Sequence, residues 1–207
     1  MKILFLTGAG LSANAGLPTY RGPDGVYTNT DFKIEDFLTF KNYKANTDVV
    51  RAYMEDMRKK FSGVPPSDWH TYIASLQKDH DVLVVTQNID GLHQAAGSKN
   101  VVELHGNAHN LIIRDGIETP DIVFFGDHIS NDKMWHIYRW ENNEDIDLCI
   151  IIGTSMQFGY LYEIGYMGKK VILVDKDPNH PCASSVDYVY QNITEIATHI
   201  KYGLTYV

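Results

Sequence analysis

Cysteine is nearly absent from this 207-residue chain: Cys149 lies inside an apolar run and Cys182 stands alone further on. Two thiols so placed exclude a disulfide framework and a four-cysteine zinc site, so a reduced, cytoplasmic chain carrying no metal is expected. Long hydrophobic runs are also missing. Nothing approaches the roughly 20 apolar residues that cross a bilayer, and residues 3–6 are too short for a signal-peptide core before Gly8 interrupts them. Positive charge is in deficit as well, with 18 Lys and Arg against 26 Asp and Glu, a net charge of −8. Such a balance argues against binding nucleic acid or an anionic membrane through bulk charge, because neutralising phosphates takes clustered cations. Neither repeats nor low-complexity tracts occur. What the chain does have is 44% hydrophobic residues, enough at this length for one core that hides about 70% of the extended surface. A single domain, monomeric, is the expectation.

Short apolar runs recur at residues 3–6, 82–85, 101–104, 122–125, 148–152 and 171–174. Runs of this length, rich in β-branched residues and without alternation, read as strands buried on both faces of a parallel sheet. Helical patterns lie between them. Val49, Val50, Tyr53, Met54, Met57 and Phe61 share one helical face, a second helix is expected to start at Ser67 or Asp68, and Ser130 can cap a third. A fourth should run over residues 160–167 with Gly168 in a left-handed terminal position, and a last one over 194–201. The class is therefore α/β, a doubly wound parallel sheet. Residues 16–30 read as a long ordered loop, and about 32–80 as a small helical module inserted into a larger part formed by 1–31 and 81–207. Asp115-Gly116 suggests a tight hairpin.

The first strand ends in Thr7-Gly8-Ala9-Gly10-Leu11-Ser12-Ala13, which matches the glycine pattern that lets a backbone approach a pyrophosphate. The acidic residue expected at a second strand end about 20 positions on is missing, since Asp24 and Asp31 fall in loop sequence; an ordinary dehydrogenase site does not fit. The second strand runs into Gln87-Asn88-Ile89-Asp90, where amides and a carboxylate suit ribose hydroxyls and a carboxamide. The alternative is that Asn88 or Asp90 simply caps the next helix, with His93 on its surface. His105 ends another strand, placed as a base near neutral pH or as a hydrogen-bonded structural histidine. Gly153-Thr154-Ser155 forms a second glycine turn, and Asp175 closes the strand after it.

Taken in order, GAGLSANAGLPTYRG, PSDWHTYIASL, TQNIDGLHQAAG, VVELHGN, PDIVFFGD, IIIGTSMQF and VILVDKDP resemble the sirtuin family along nearly the whole chain. The resemblance implies a Rossmann-like large domain, a helical module and NAD bound between them. It further implies Gly8, Ala9, Gly10 and Ser12 at the phosphate turn, Tyr20 and Arg21 in the cofactor loop, Gln87, Asn88, Ile89 and Asp90 around nicotinamide and its ribose, and His105 as the base. Gly153, Thr154, Ser155 and Asp175 match the adenosine side. An acyl-lysine protein would lie against Val123, Phe125 and Gly126 and the facing residues 156–158, adding its backbone between them. The implied chemistry transfers the acyl group from lysine to ADP-ribose and releases nicotinamide.

Two departures from the family pattern matter. Its two Cys-x-x-Cys pairs are absent between Gly106 and Phe125, so the zinc ribbon is deleted and no zinc is expected. In relatives that take acidic acyl groups a Tyr-x-x-Arg pair lines the acyl pocket; here the alignment places Tyr53 at the aromatic position and Asp56 at the arginine, which would repel a succinyl carboxylate. The same helical stripe also reads as plain core packing. A deacylase is thus the leading expectation, with an NAD glycohydrolase or ADP-ribosyltransferase on the same scaffold as the alternative, and a non-catalytic NAD or ADP-ribose sensor behind both.

Overall fold

A computed structural model of the chain describes residues 1–20, 25, 33–142 and 144–202. Arg21 and most of the loop expected over 16–30 lie outside the described residues. In chain order the elements are β1 (Lys2–Thr7), α1 (Ala9–Ser12), α2 (Ile34–Phe37), α3 (Phe40–Ala45), α4 (Thr47–Phe61), α5 (Asp68–Leu76), β2 (Asp81–Thr86), α6 (Leu92–Ala95) and β3 (Val101–Glu103). They continue with β4 (Gly106–Arg114), β5 (Ile117–Ile122), α7 (Asn131–Glu141), β6 (Leu148–Ile152), α8 (Gly159–Gly165), β7 (Lys170–Val174), β8 (Tyr188–Tyr190) and α9 (Thr194–Tyr202).

Six strands form one parallel sheet in the order β3-β2-β1-β6-β7-β8. Successive residues of a strand point to opposite faces, and the hydrophobic clusters divide accordingly. Leu4, Leu6, Leu83, Val85 and Ile151 pack under Ile137 of α7 and Leu161 and Ile164 of α8. Ile3, Phe5, Val82, Val84 and Ile150 pack under Ile73 of α5 and Ile196 and Ile200 of α9. Covering both faces is what makes these runs uniformly apolar. The chain leaves β1 for one side and returns through β6 on the other, so the crevice between the carboxyl ends of β1 and β6 is the topological switch point where ligands of open α/β sheets bind.

A third cluster joins Leu38, Tyr43, Val50, Met54, Met57 and Phe61 of the helices to Ile89, Ala108 and Phe124. This is the helical module, and it is shorter than expected, because Ile73 and Leu76 tie α5 to the sheet instead. Val49 does not share the buried stripe of α4; it is 61% exposed, one residue off the apolar face. Ser67 does cap α5: its Oγ lies 2.8 Å from His70 Nδ1, and its backbone N–H donates to the same nitrogen.

The run at residues 122–125 is not a strand of the parallel sheet. After β3 the chain turns at Gly106 into the antiparallel pair β4-β5, joined by Asp115 (φ 51°) and Gly116 (φ 76°), the two left-handed positions of a tight hairpin. Ile122 ends β5, and the residues after it lead into a turn at 125–126, Val123 N–H donating to His105 O and Phe125 N–H to Leu38 O. Gly168 is not left-handed either: α8 ends at Gly165, and a Cβ on Gly168 would stand 2.7 Å from the Cys149 nitrogen. Close backbone approach explains that glycine. Among the described residues no helix is long and apolar enough to cross a membrane.

Candidate functional site

Two glycine turns meet at the switch point. Gly8 N–H donates to Ile152 O and Gly10 N–H to Gly153 O, at 3.0 and 2.9 Å. A Cβ on Gly8 would lie 2.6 Å from Gly153 O, and one on Gly153 (φ 58°) 2.6 Å from Leu11 N. No other residue type permits backbones this close, and the bare surface they leave lines a cavity of about 1150 Å³. Gly8, Ala9, Gly10, Tyr20, Gly153, Thr154, Ser155 and Asp175 all line it.

The strand end of β2 supplies the floor. Gln87 Nε2 donates to Thr154 Oγ1 at 2.6 Å, locking the two strand ends together, while the Met156 amide donates to the same oxygen. Asn88, 2% exposed, donates from Nδ2 to Gly8 O (3.0 Å) and Ser12 Oγ (2.9 Å), and the Ser12 hydroxyl donates in turn to Asp90 Oδ2 at 2.7 Å. The other Asp90 oxygen accepts from the Leu92 amide at the start of α6. Asn88 and Asp90 therefore belong to one buried network that includes a helix start, which joins the two sequence readings. Ser12 and Asp90 stand behind the cavity wall rather than on it, whereas Gln87, Asn88 and Ile89 face the cavity. Asn88 Oδ1 is buried with no hydrogen-bond partner among the described residues.

His93 is not a surface residue. It is 1% exposed, its Nε2 lies 3.0 Å from Thr7 Oγ1, and its ring meets that of His70 edge-on at 4.8 Å. Burial, with the neighbouring His70 adding to it, pushes its pKa down to about 3. His105 lies at the junction of the cavity's polar and apolar walls. Burial lowers its pKa to about 4, with a hydrogen bond to the Gln87 backbone opposing and Lys133 assisting, so the ring is neutral at pH 7. Its Nε2 is 2.7 Å from the Tyr160 hydroxyl, and Phe158 stacks on Tyr160 at 5.5 Å.

Val123, Phe125 and Gly126 line the apolar side together with Ile122, Phe124 and Met134. Tyr53 does not line it; its ring packs edge-on against Phe37 at 5.3 Å, and Met54 and Met57, three apart on α4, present the wall instead. Asp56 is likewise off the site, exposed and paired with Lys60 at 2.8 Å, so the repulsion expected of it has no geometric basis. The described lining residues include Asp127, Asp175 and Asp177 and no Lys or Arg. Tyr160, Met54, Met57, Asp127 and His180 were not anticipated from the sequence. Only His180, in a Pro- and Asp-rich loop, carried even a weak signal, and its Nε2 lies 2.7 Å from Thr154 O. Among the described residues no three His, Cys, Asp or Glu side chains group as metal ligands.

The Sir2 family model matches residues 8–115. The NAD-dependent protein deacylase 1 of Caldanaerobacter subterraneus subsp. tengcongensis is 35% identical over 175 residues, 73% of this chain and 71% of its own. The NAD-dependent protein deacylase of Ralstonia nicotianae is 32% identical over 209 residues, 86% of this chain and 82% of its own. A solved structure described under "Structural Basis for the Mechanism and Regulation of Sir2 Enzymes" superposes with a TM-score of 0.78 at 27% identity, covering 92% of this chain and 86% of that one. With the glycine turns, the Asn88–Asp90 network and His105 gathered at one switch point, and with these matches across most of its length, the chain belongs to the Sir2 family, the sirtuins.

Proposed function

We propose that the chain is an NAD-dependent protein-lysine deacylase acting on neutral acyl groups. The observation that carries the reading is the position of neutral His105 where two unlike walls of one cavity meet. On one side stand bare glycine backbone and amide side chains, on the other an apolar wall beside segment 123–126.

The residues present fit NAD. A Cβ on Gly8 or Gly10 would collide with the backbone of Gly153, so the surface beside them accepts a diphosphate only because these positions are bare. Asn88 Oδ1, unpartnered at the cavity floor, suits the N–H of a carboxamide. Gln87 and Ser155 would face the riboses, and Asp175 the adenosine hydroxyls. Tyr20 lines the same cavity, and Arg21 next to it is assigned to the cofactor loop by its place in the motif. NAD, when bound, supplies a glycosidic bond whose nicotinamide leaves as the acyl oxygen adds.

The chain's own part is positional and acid–base. Ser12 and Asp90 hold Asn88 from behind, so its amide needs no reorganisation as the ligand enters. His105, uncharged at pH 7, can take the proton of a ribose hydroxyl through Nε2 while its other nitrogen stays on the Gln87 backbone. Phe124 and Phe158 line the apolar wall and would limit water at the reacting centre once ligands fill the cavity. The acyl-lysine backbone would lie along residues 123–126. No cation among the described lining residues meets an acidic acyl group, and the wall of Met54, Met57 and Phe124 favours a neutral one.

Nicotinamide release by the purified protein, with and without acetyl-lysine and succinyl-lysine peptides, tests the reading. Release that needs the acetyl peptide, yields O-acetyl-ADP-ribose and disappears in His105→Ala is expected, with succinyl turnover at least tenfold lower, the effect of an unpaired carboxylate at an apolar wall. Release without any peptide would replace the reading with NAD hydrolysis or ADP-ribosyl transfer.

A further inference from the structure

Arg114 is the last residue of β4, outside the cavity, yet it reaches two other parts of the molecule. Its Nη1 and Nη2 donate to the two carboxylate oxygens of Asp127 at 2.5 and 2.9 Å, a fork-to-fork pair. Its guanidinium carbon lies 3.7 Å from the centroid of the Phe40 ring, at the start of α3. Phe40 in turn packs on Phe124 at 5.9 Å. Hairpin, helical module and the segment around residues 123–127 therefore converge on a single planar cation.

Phe124 anchors that segment in the core of the helical module, against Phe40 and Tyr43, and the Arg114 clamp acts at its far end. The segment belongs to neither sheet, and its described backbone bonds to other parts of the chain are Val123 N–H to His105 O and Phe125 N–H to Leu38 O. Gly126 is left-handed (φ 88°) and the Asp127 amide closes a turn on Phe124 O, so the backbone reverses where Asp127 is gripped. Arg114 keeps Asp127's carboxyl below the usual carboxylate range, as a tight charge-assisted pair does. The hairpin end of the clamp is itself fixed, since Tyr43 Oη donates to Glu118 O and Lys44 pairs with Asp115.

We propose that Arg114 is a positioning residue for the protein substrate: through the Asp127 fork and the Phe40 face it fixes the turn that ends segment 123–127, and so holds residues 123–125 where an acyl-lysine backbone is accepted. This rests on the deacylase reading, and it assigns to a side chain of the hairpin the task of shaping one wall of the peptide groove. A surface ion pair would be worth little. This one is bidentate, part-buried and stacked on an aromatic ring, and lysine cannot reproduce it.

The test compares Arg114→Ala, Arg114→Lys and Asp127→Asn with the unaltered protein by two readouts. In turnover, KM for the acetyl-lysine peptide should rise roughly tenfold in all three, the worth of one charge-assisted hydrogen-bonded pair, while kcat and KM for NAD stay within about twofold in the two Arg114 variants. In native-state hydrogen exchange, the Val123 and Phe125 amides should exchange about tenfold faster, while those of Gly8 and Gly10 keep their rates. Equal acceleration at all four amides, or a parallel rise in both KM values in the Arg114 variants, would mean general destabilisation and overturn the proposal, as would no change in either readout. Should the unaltered protein release no nicotinamide with any acyl peptide, the deacylase reading fails on its own. The exchange pattern still decides whether Arg114 holds the segment.

Discussion

The Nε2 of His105 stands 2.7 Å from the hydroxyl of Tyr160. With its other nitrogen on the Gln87 backbone, the imidazole has both hydrogen-bonding positions taken in the ligand-free chain. A ribose hydroxyl that is to give its proton to Nε2 must first displace the phenol. Tyr160→Phe removes that competitor, so ADP-ribose should bind about fivefold more tightly to the variant, the value of one net hydrogen bond of about 1 kcal/mol. Calorimetric titration measures this directly; weaker binding would make Tyr160 a ligand contact instead of a placeholder.

Acid should destabilise the fold through its buried histidines. An imidazole titrates near 6.5 when free, and His93 is held down at about 3 by burial and by His70. Above pH 6.5 the ring is neutral in both the folded and the unfolded chain and contributes no pH dependence. Between 6.5 and about 3 the unfolded chain binds a proton that the folded chain refuses, so stability falls as pH falls, by up to about 1.4 kcal/mol per pH unit for this one group. His105, held at about 4, adds a second loss over the window from 6.5 to 4. Urea midpoints taken from pH 6.5 to 4.5 should slope less steeply in His93→Gln; identical slopes would refute the assignment.

Glycine at 153 and glycine at 116 are both left-handed, and they should respond very differently to alanine. At Gly116 a Cβ meets nothing within 4 Å, so only the backbone penalty of about 1 kcal/mol remains. At Gly153 it meets Leu11 N at 2.6 Å and Gly10 Cα at 2.7 Å, adding about 1–3 kcal/mol of overpacking. Gly153→Ala should therefore lower the melting temperature much more than Gly116→Ala and also weaken NAD binding, because relief can come only by parting the two turns. A Gly153→Ala variant as stable as Gly116→Ala would contradict this geometry.

Much of the architecture can be read from local pattern because burial on both faces leaves one kind of sequence. The runs that became β1, β2, β6 and β7 are apolar throughout, and glycines follow β1 and β6 where the chain must turn sharply. The run at 122–125 had the same apolar look for a different reason: its side chains face the core of the helical module and the cavity, while its backbone pairs outside the main sheet. Apolarity reports burial, and it does not say against what. The burial of His93 is not legible in the sequence either, since a four-residue helix carries no usable periodicity and nothing nearby shows that Thr7 and His70 close over it.

By itself the amino-acid sequence determined the α/β class, the two glycine turns, the hairpin at Asp115-Gly116 and the ordered motifs that place the chain among the sirtuins. All of these rest on residue types needed by local backbone geometry or by a short motif. Only the tertiary structure decided which side chains face the cavity: Met54 and Met57 in place of Tyr53, Tyr160 against His105, and Arg114 clasping Asp127 across the hairpin. The first of these depends on the rotation of one helix against its neighbours, and the others on contacts between elements distant in the chain or differently oriented. Packing sets such relationships after the local elements have formed, so no local pattern encodes them.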